Sequence, residues 1–469
     1  SPTVNATNMT HLHIDAFIPG AIAPGRQLRV KVVDFGAKDD RTVEYHKNNN
    51  FYYIPNSKFE IPDIIPPLGG AYDFFKDEPF EEIPAKWTGN GSRMAKPDRN
   101  DWYETVKVNY GIKPDGSKDF PELPEGFDKK DCKAHYEFWK DKDVPSSWKK
   151  FRDIALYWTA KGVDGFRFDM AEMVPVEFWA YAIPKVKALN PEVVFIAEIY
   201  NPQEYRNYIF KGGFDYLYDK VGLYDGIRHI MENKPGATTA DITRVWQQES
   251  GDFANHMLRF LENHDETRLN SRGFAASNFW STIPGMVLTA SMHDGPLMIY
   301  FGQEFGEKAQ EIEGFNEADD RTTMFDFYRV DTHQRWLNGG KFDGGKLTAA
   351  EKEIDSFYSE LLAWINSSEV IQKGKFFDLQ YAQNAAYPKD KVYAYLRYTD
   401  KGRNLIICNF DSVNHDFNIE IPTLALDMMG IKSYTLKTIK TFVPPTAAAG
   451  KVEGNRIQIP SNSAIVISL

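Results

Sequence analysis

The chain has little cysteine, no long apolar run and no excess of positive charge, and each shortage removes a class of function. Cys132 and Cys408 are the two cysteines in 469 residues. They lie far apart, form neither a metal-ligand spacing nor a disulfide framework, and are expected to be unpaired. No stretch of about 18 apolar residues occurs, so no membrane span is expected. The formal net charge of -11 argues against nucleic acid as a partner, because phosphate binding needs a basic surface. The N-terminus shows no basic region followed by an apolar core, so no signal peptide is read. A mature secreted protein shares that feature; the compartment stays open, with an extracellular or periplasmic one favoured. A glycine-rich phosphate loop after the first strand is also missing, as are internal repeats and low-complexity tracts.

What is present is the composition of a globular protein, 42% hydrophobic and 26% charged, in a chain long enough for two or three domains. Aromatic residues reach 14%. Their faces suit the apolar C–H faces of sugar rings, but they also fill cores.

The stretch that organises the chain is Gly162-Val163-Asp164-Gly165-Phe166-Arg167-Phe168-Asp169-Met170. It reads as a short buried strand. A helix leads into it, with Ser147 as capping residue, Trp148, Phe151, Ala155 and Trp158 as its apolar stripe, and Gly162 as its left-handed stop. Alternate strand residues share a face, so Arg167 and Asp169 point the same way. If Phe166 and Phe168 pack against helices, both charges face whatever the strand encloses. The competing reading is an exposed edge strand with a surface ion pair.

Residues 1–20 hold one strand-like run, at 12–19, and residues 21–146 form an irregular insertion with scattered aromatics. Their density predicts that the insertion shapes a site. From 147 to 371 helix and strand alternate. Strands are expected at 193–198, 214–218, 257–261 and 297–301, a helix at 176–189 with Phe178, Trp179, Ala182 and Val186 on one stripe, and another from a capping box of Thr348 with Glu351 to about Asn366. From 372 to 469 the pattern is all-β and predicts a small antiparallel sandwich. Alternating strands and helices imply parallel βαβ units. Polar residues collect at the C-terminal ends of the strands, at Asp169, Glu198, Asp265 and Glu304, which fits a closed barrel better than an open doubly wound sheet.

Carboxylates at successive strand ends suit a two-carboxylate mechanism. A retaining glycosidase places an ionised nucleophile and a protonated acid/base about 5–5.5 Å apart. Arg167 beside Asp169 favours the ionised form there, and burial of Glu198 after an apolar run favours a proton on it. His264 and Asp265 add a donor and a second anion for sugar hydroxyls. Each piece has a plainer reading: Asp169 as a turn residue, Glu198 as a structural acceptor, Asn263-His264-Asp265 as a loop bonded to its own backbone, or the carboxylates and histidine as a divalent metal site, which Arg167 would oppose.

These residues resemble the α-amylase family of glycoside hydrolases. Gly165-Phe166-Arg167-Phe168-Asp169 is similar to its fourth-strand motif, Phe195-Ile196-Ala197-Glu198 to its fifth, and Phe260-Leu261-Glu262-Asn263-His264-Asp265 to its seventh, in order and in spacing. The resemblance covers about residues 12–469. It implies a (β/α)8 TIM-type barrel with an insertion domain and a C-terminal β-sandwich, and a retaining hydrolase or transglycosylase of α-glucosidic bonds in α-glucans or maltooligosaccharides. It implies Asp169 as nucleophile, Glu198 as acid/base, Asp265 as transition-state stabiliser, and Arg167 and His264 as substrate contacts. The partner is then an oligosaccharide or polysaccharide. No cofactor is required and no metal ligand is assigned, because Gly20-Ala21 follow Asp15 where the family carries Asn-His; calcium is therefore not supported by the third-strand motif. Met170-Ala171-Glu172 stand where the family has Lys or His after the nucleophile. Six of the family's eight strands are located and the first two βα units have no counterpart, so the chain is expected to be part of a longer protein. The alternative is a catalytically impaired, amylase-like glycan-binding protein.

Overall fold

The computed structural model describes residues 39–62, 81–98, 100–103, 105–310, 320–322 and 330–469. The strand expected at 12–19, with Asp15 and the Gly20-Ala21 pair, lies outside the described residues.

In the described part of the insertion, β1 (Tyr53–Ile54) pairs antiparallel with β2 (Ala85–Lys86). Tyr52 stacks on Trp87 with ring centroids 4.4 Å apart, and the Arg93 guanidinium covers the same indole. Tyr52, Tyr53 and Trp87 are buried. These aromatics therefore build a small core for the insertion itself.

Helix α1 (Cys132–Trp139) starts at Asp131, whose carboxylate accepts the Ala134 N–H. Helix α2 (Ser146–Ala160) follows. Its N-cap is Pro145, without a side-chain capping bond. Ser147, the expected cap, instead donates its hydroxyl to the Asn109 carbonyl. Trp148 is buried, but Phe151 and Trp158 of the expected stripe are exposed. Gly162 takes the left-handed conformation expected of it, with φ 92°.

Four parallel strands come next: β3 (Gly165–Phe168), β4 (Val194–Ala197), β5 (Tyr216–Tyr218) and, after α4 (Asp225–Met231) and α5 (Ala240–Arg244), β6 (Met257–Leu258). Helix α3 (Val176–Leu189) connects β3 to β4. The four expected apolar residues of α3 are buried, and so are Ala180, Tyr181 and Ile183, so the helix is enclosed on more than one side. The strand order in space is the order in the chain, β3-β4-β5-β6, with no reversal of the kind that makes a switch point in a doubly wound sheet. After α6 (Ile283–Ser291) the chain returns parallel to Arg259, but the run expected as a strand at 297–301 contributes a single bridge, Arg259 to Leu297.

Helix α7 (Asp331–Leu337) precedes α8 (Ala349–Ser367), which opens on the expected capping box, Thr348 and Glu351 each bonding the other's backbone. The chain then forms β7 (Lys375–Asp378), β8 (Val392–Tyr398), β9 (Arg403–Asn409), β10 (His415–Asn418), β11 (Lys437–Phe442), β12 (Lys451–Glu453), β13 (Arg456–Ile459) and β14 (Ser463–Ser468). They make an antiparallel five-stranded sheet, order β11-β14-β9-β8-β7, and a three-stranded sheet, order β10-β13-β12. A short helix, Thr423–Met429, interrupts the all-β pattern. Ile407, Ile465 and Ile467 meet Phe417, Ile457 and Ile459 between the two sheets. The opposite face, with Tyr395, Ile406, Cys408 and Val466, joins Ile283, Met286 and Val287 of α6 and Phe357 and Leu361 of α8 in one apolar cluster. Cys132 and Cys408 are both free, the first exposed and the second buried.

Candidate active site

The parallel register decides which side chains meet. Arg167 lies opposite Ile196, and Phe166 and Phe168 lie opposite Phe195 and Ala197. Phe168 packs edge-on against Trp179 of α3, centroids 4.6 Å apart, and stacks with Phe195. The aromatic side of β3 therefore faces the helices, and by alternation Arg167 and Asp169 take the other face. Beyond β4 the ladder runs one step further, the Glu198 N–H donating to the Phe168 carbonyl at 3.1 Å. Glu198 thus shares the face of Arg167.

One guanidinium holds both carboxylates. Arg167 Nη1 donates to Asp169 Oδ1 at 2.7 Å, and Nη2 lies 3.2 Å from Glu198 Oε2. Glu198 has no basic neighbour in sequence; the cation reaches it across the strand pair. Arg167 also donates from Nε to the Tyr218 hydroxyl at 3.1 Å. Asp169 is open, its side chain 67% exposed, while Glu198 is 3% exposed. Glu198 accepts two further bonds, from the Met170 N–H at 2.7 Å on Oε2 and from the Tyr200 hydroxyl at 2.5 Å on Oε1. Met170 sits in the left-handed region at φ 42°, ψ 43°, a conformation that costs a residue with a Cβ roughly 1–2 kcal/mol. Glu172 braces the neighbouring turn by accepting the N–H groups of Tyr200 and Asn201.

After β6, Asp265 Oδ2 lies 3.1 Å from His264 Nε2, and the Asp265 N–H is held by the Asn263 side chain at 2.8 Å. Burial, then the bond to Glu198 and the charges of Glu198, Asp265 and Glu266, push the Tyr200 phenol far above its ordinary value. Burial raises Tyr218 as well, with Arg167 opposing and Glu198 and Asp265 assisting. Both tyrosines thus feel the charges of Glu198 and Asp265; direct contacts join Asp169 and Glu198 through Arg167, and Asp265 to His264. Glu262, inside the same motif, is turned away: it is buried and bound to Arg268 Nη1 at 2.7 Å and to the Leu269 N–H. Glu304 stands near that pair, its carboxyl raised by burial. Among the described residues no three His, Cys, Asp or Glu side chains come together as metal ligands.

Sequence reasoning missed Tyr200, Tyr218 and the Met170 N–H. Period-two alternation from Arg167 through β4 and β5 would have placed Tyr218 on the charged face; nothing local marks Tyr200 as a donor to Glu198.

Residues 131–337 match the family model of the alpha amylase catalytic domain. Over that segment the chain is similar to the alpha-amylase family. The chain is 30% identical over 173 residues to the alpha-1,4-glucan:maltose-1-phosphate maltosyltransferase of Cereibacter sphaeroides, covering 34% of this chain and 28% of that enzyme. Alpha-amylase 3 of Dictyoglomus thermophilum is 22% identical over 328 residues, 65% of this chain and 61% of the relative. The chain thus spans less than two thirds of either relative. The native Nostoc punctiforme debranching enzyme superposes with a TM-score of 0.52 at 16% identity, over 87% of this chain and 68% of that one, a likeness of fold. Among the described residues no helix is long and apolar enough to cross a membrane.

Proposed function

We propose that the chain cleaves α-glucosidic bonds in α-glucans or maltooligosaccharides through a covalent glycosyl-enzyme, as a retaining hydrolase or transglycosylase. The observation that carries this reading is the Arg167 guanidinium bound to Asp169 and facing Glu198. Asp169, open and paired with a cation, is the nucleophile on the sugar's anomeric carbon. Glu198, buried beside it, gives a proton to the departing oxygen and later takes one from the attacking water or sugar hydroxyl. Asp265 stabilises the positive charge that develops on the ring, and His264 and Arg167 contact substrate. The names of the relatives, a maltosyltransferase and an alpha-amylase, support both acceptors. The monotonic strand order supports a closed (β/α)8 barrel, with residues 21–146 as its insertion, 147–371 as its continuation and 372–469 as a separate C-terminal sandwich.

Release of reducing sugar, or transfer products, from maltooligosaccharides tests the proposal. Asp169→Asn is expected to lower kcat by at least about 10⁴-fold, the scale on which loss of a nucleophile acts. Equal turnover by wild type and variant would remove Asp169 from its role.

A second reading, glycan binding without turnover, is favoured by the exposure of Asp169 and by the outer edge of β3, which pairs with no strand among the described residues. Tight binding of an acarbose-type inhibitor with no product from any maltooligosaccharide would select it.

A further inference from the structure

The two oxygens of Glu198 stand in chemically different surroundings. Oε2 receives the Met170 N–H at 2.7 Å and faces Arg167 Nη2 at 3.2 Å. Both of those groups donate and neither can accept. A proton placed on Oε2 would point at two donors and displace at least one of them. Oε1 receives only the Tyr200 hydroxyl, at 2.5 Å, and a phenolic hydroxyl can either donate or accept.

We infer that Glu198 exchanges its catalytic proton through Oε1, and that Tyr200 is the positioning residue that makes this possible. The assignment rests on the role proposed above for Glu198. With the carboxylate ionised, Tyr200 donates to Oε1 and fixes the side chain. With Oε1 protonated, the hydroxyl turns and leaves that proton free to face the glycosidic oxygen, while Oε2 stays bonded to the Met170 N–H beside the Arg167 cation. In the first half-reaction the Oε1–H bond breaks and the proton passes to the glycosidic oxygen. The C1–O bond breaks with its electron pair on the departing oxygen, and an Asp169 oxygen bonds to C1. In the second half-reaction a water oxygen bonds to C1, the C1–Asp169 bond breaks with its pair returning to the carboxylate, and the water proton passes to Oε1. Tyr200 keeps its own proton throughout, because burial and the surrounding carboxylates disfavour a phenolate.

Tyr200→Phe removes the hydroxyl and retains the ring. On maltooligosaccharides its kcat/KM is expected to fall about tenfold, the scale of one hydrogen bond to a charged group. The alkaline limb of its pH–rate profile is expected to move up by about one unit, because the ionised form has lost a donor. On an aryl maltooligoside with a dinitrophenolate leaving group, which departs without a proton, the loss is expected to be smaller. A second readout needs no turnover: the Glu198 carboxyl carbon, ¹³C-labelled and assigned through Glu198→Gln, is followed by NMR through a pH titration in wild type and Tyr200→Phe. An upward displaced titration in the variant supports the assignment; coincident titrations and coincident pH–rate profiles overturn it. If the wild type cleaves no glucan, the functional reading falls, while the carboxyl titration still decides whether Tyr200 governs the proton on Glu198.

Discussion

His333 shows how a single ring can carry pH dependence away from the candidate site. It stacks on Phe301 with centroids 3.4 Å apart and an interplanar angle of 14°, and it meets the edge of Phe305. Burial holds its imidazole down at about 4, with Glu307 opposing and Arg268 assisting; the unfolded value is about 6.5. Above pH 6.5 neither state takes the proton. Between about 6.5 and 4 the unfolded chain takes it and the folded chain does not, so stability falls as pH drops through that window and levels off below it. Because the ring is only half-buried, solvent tempers the effect. The urea midpoint is expected to fall across this window in wild type and less steeply in His333→Gln. Parallel slopes would show that His333 does not contribute. At the same scale, the shared face of Arg167 and Asp169 was legible from alternation alone, because it needs only one strand. The Met170–Glu198 bond and the Arg167–Glu198 ion pair were not, because each crosses between two strands and depends on their register; the Tyr200–Glu198 bond is local, two residues apart, but forms past the end of β4, where the strand pattern no longer says which way a side chain turns.

Among the elements, α8 was the most legible, since its cap is local. Thr348 accepts the Glu351 N–H while Glu351 accepts the Thr348 N–H, satisfying two donors that the helix end would otherwise leave open. Thr348→Ala is expected to cost about 1 kcal/mol, measured as a lowered urea midpoint at unchanged m-value; an unchanged midpoint would mean that the box adds nothing beyond tertiary packing. The same logic misplaced the start of α2, because the Asn109 carbonyl, 38 residues upstream, captures the Ser147 hydroxyl. Strand β8 shows the limit of a local pattern: all seven of its residues are buried, because one sheet face meets the three-stranded sheet and the other meets α6 and α8. A short run tells a single strand's period but not what covers each side of it.

Across the whole molecule, the described residues leave an apolar surface around β3. Phe151, Ile154, Tyr157 and Trp158 of α2 are each more than a third exposed, beside a parallel strand with one unpaired edge among the described residues. Parallel sheets are ordinarily covered on both faces, and contiguous exposed apolar patches of this kind attract other surfaces. This chain is therefore expected to bind the dye ANS in its native state, and Tyr157→Lys with Trp158→Lys to lower that fluorescence while the thermal midpoint holds. Dye binding unaffected by the pair would locate the apolar surface elsewhere.

The cluster that joins Tyr395, Ile406, Cys408 and Val466 to α6 and α8 has a different bearing. Arg397, fully buried, adds two bonds across the same seam, to the carbonyls of Ser291 and Ile371, and a third to Gly374 at the start of the β-structure itself. The terminal β-structure is thereby less an appendage than a keel: a fault introduced there travels forward into the body that carries the carboxylates, because no layer of solvent separates the two.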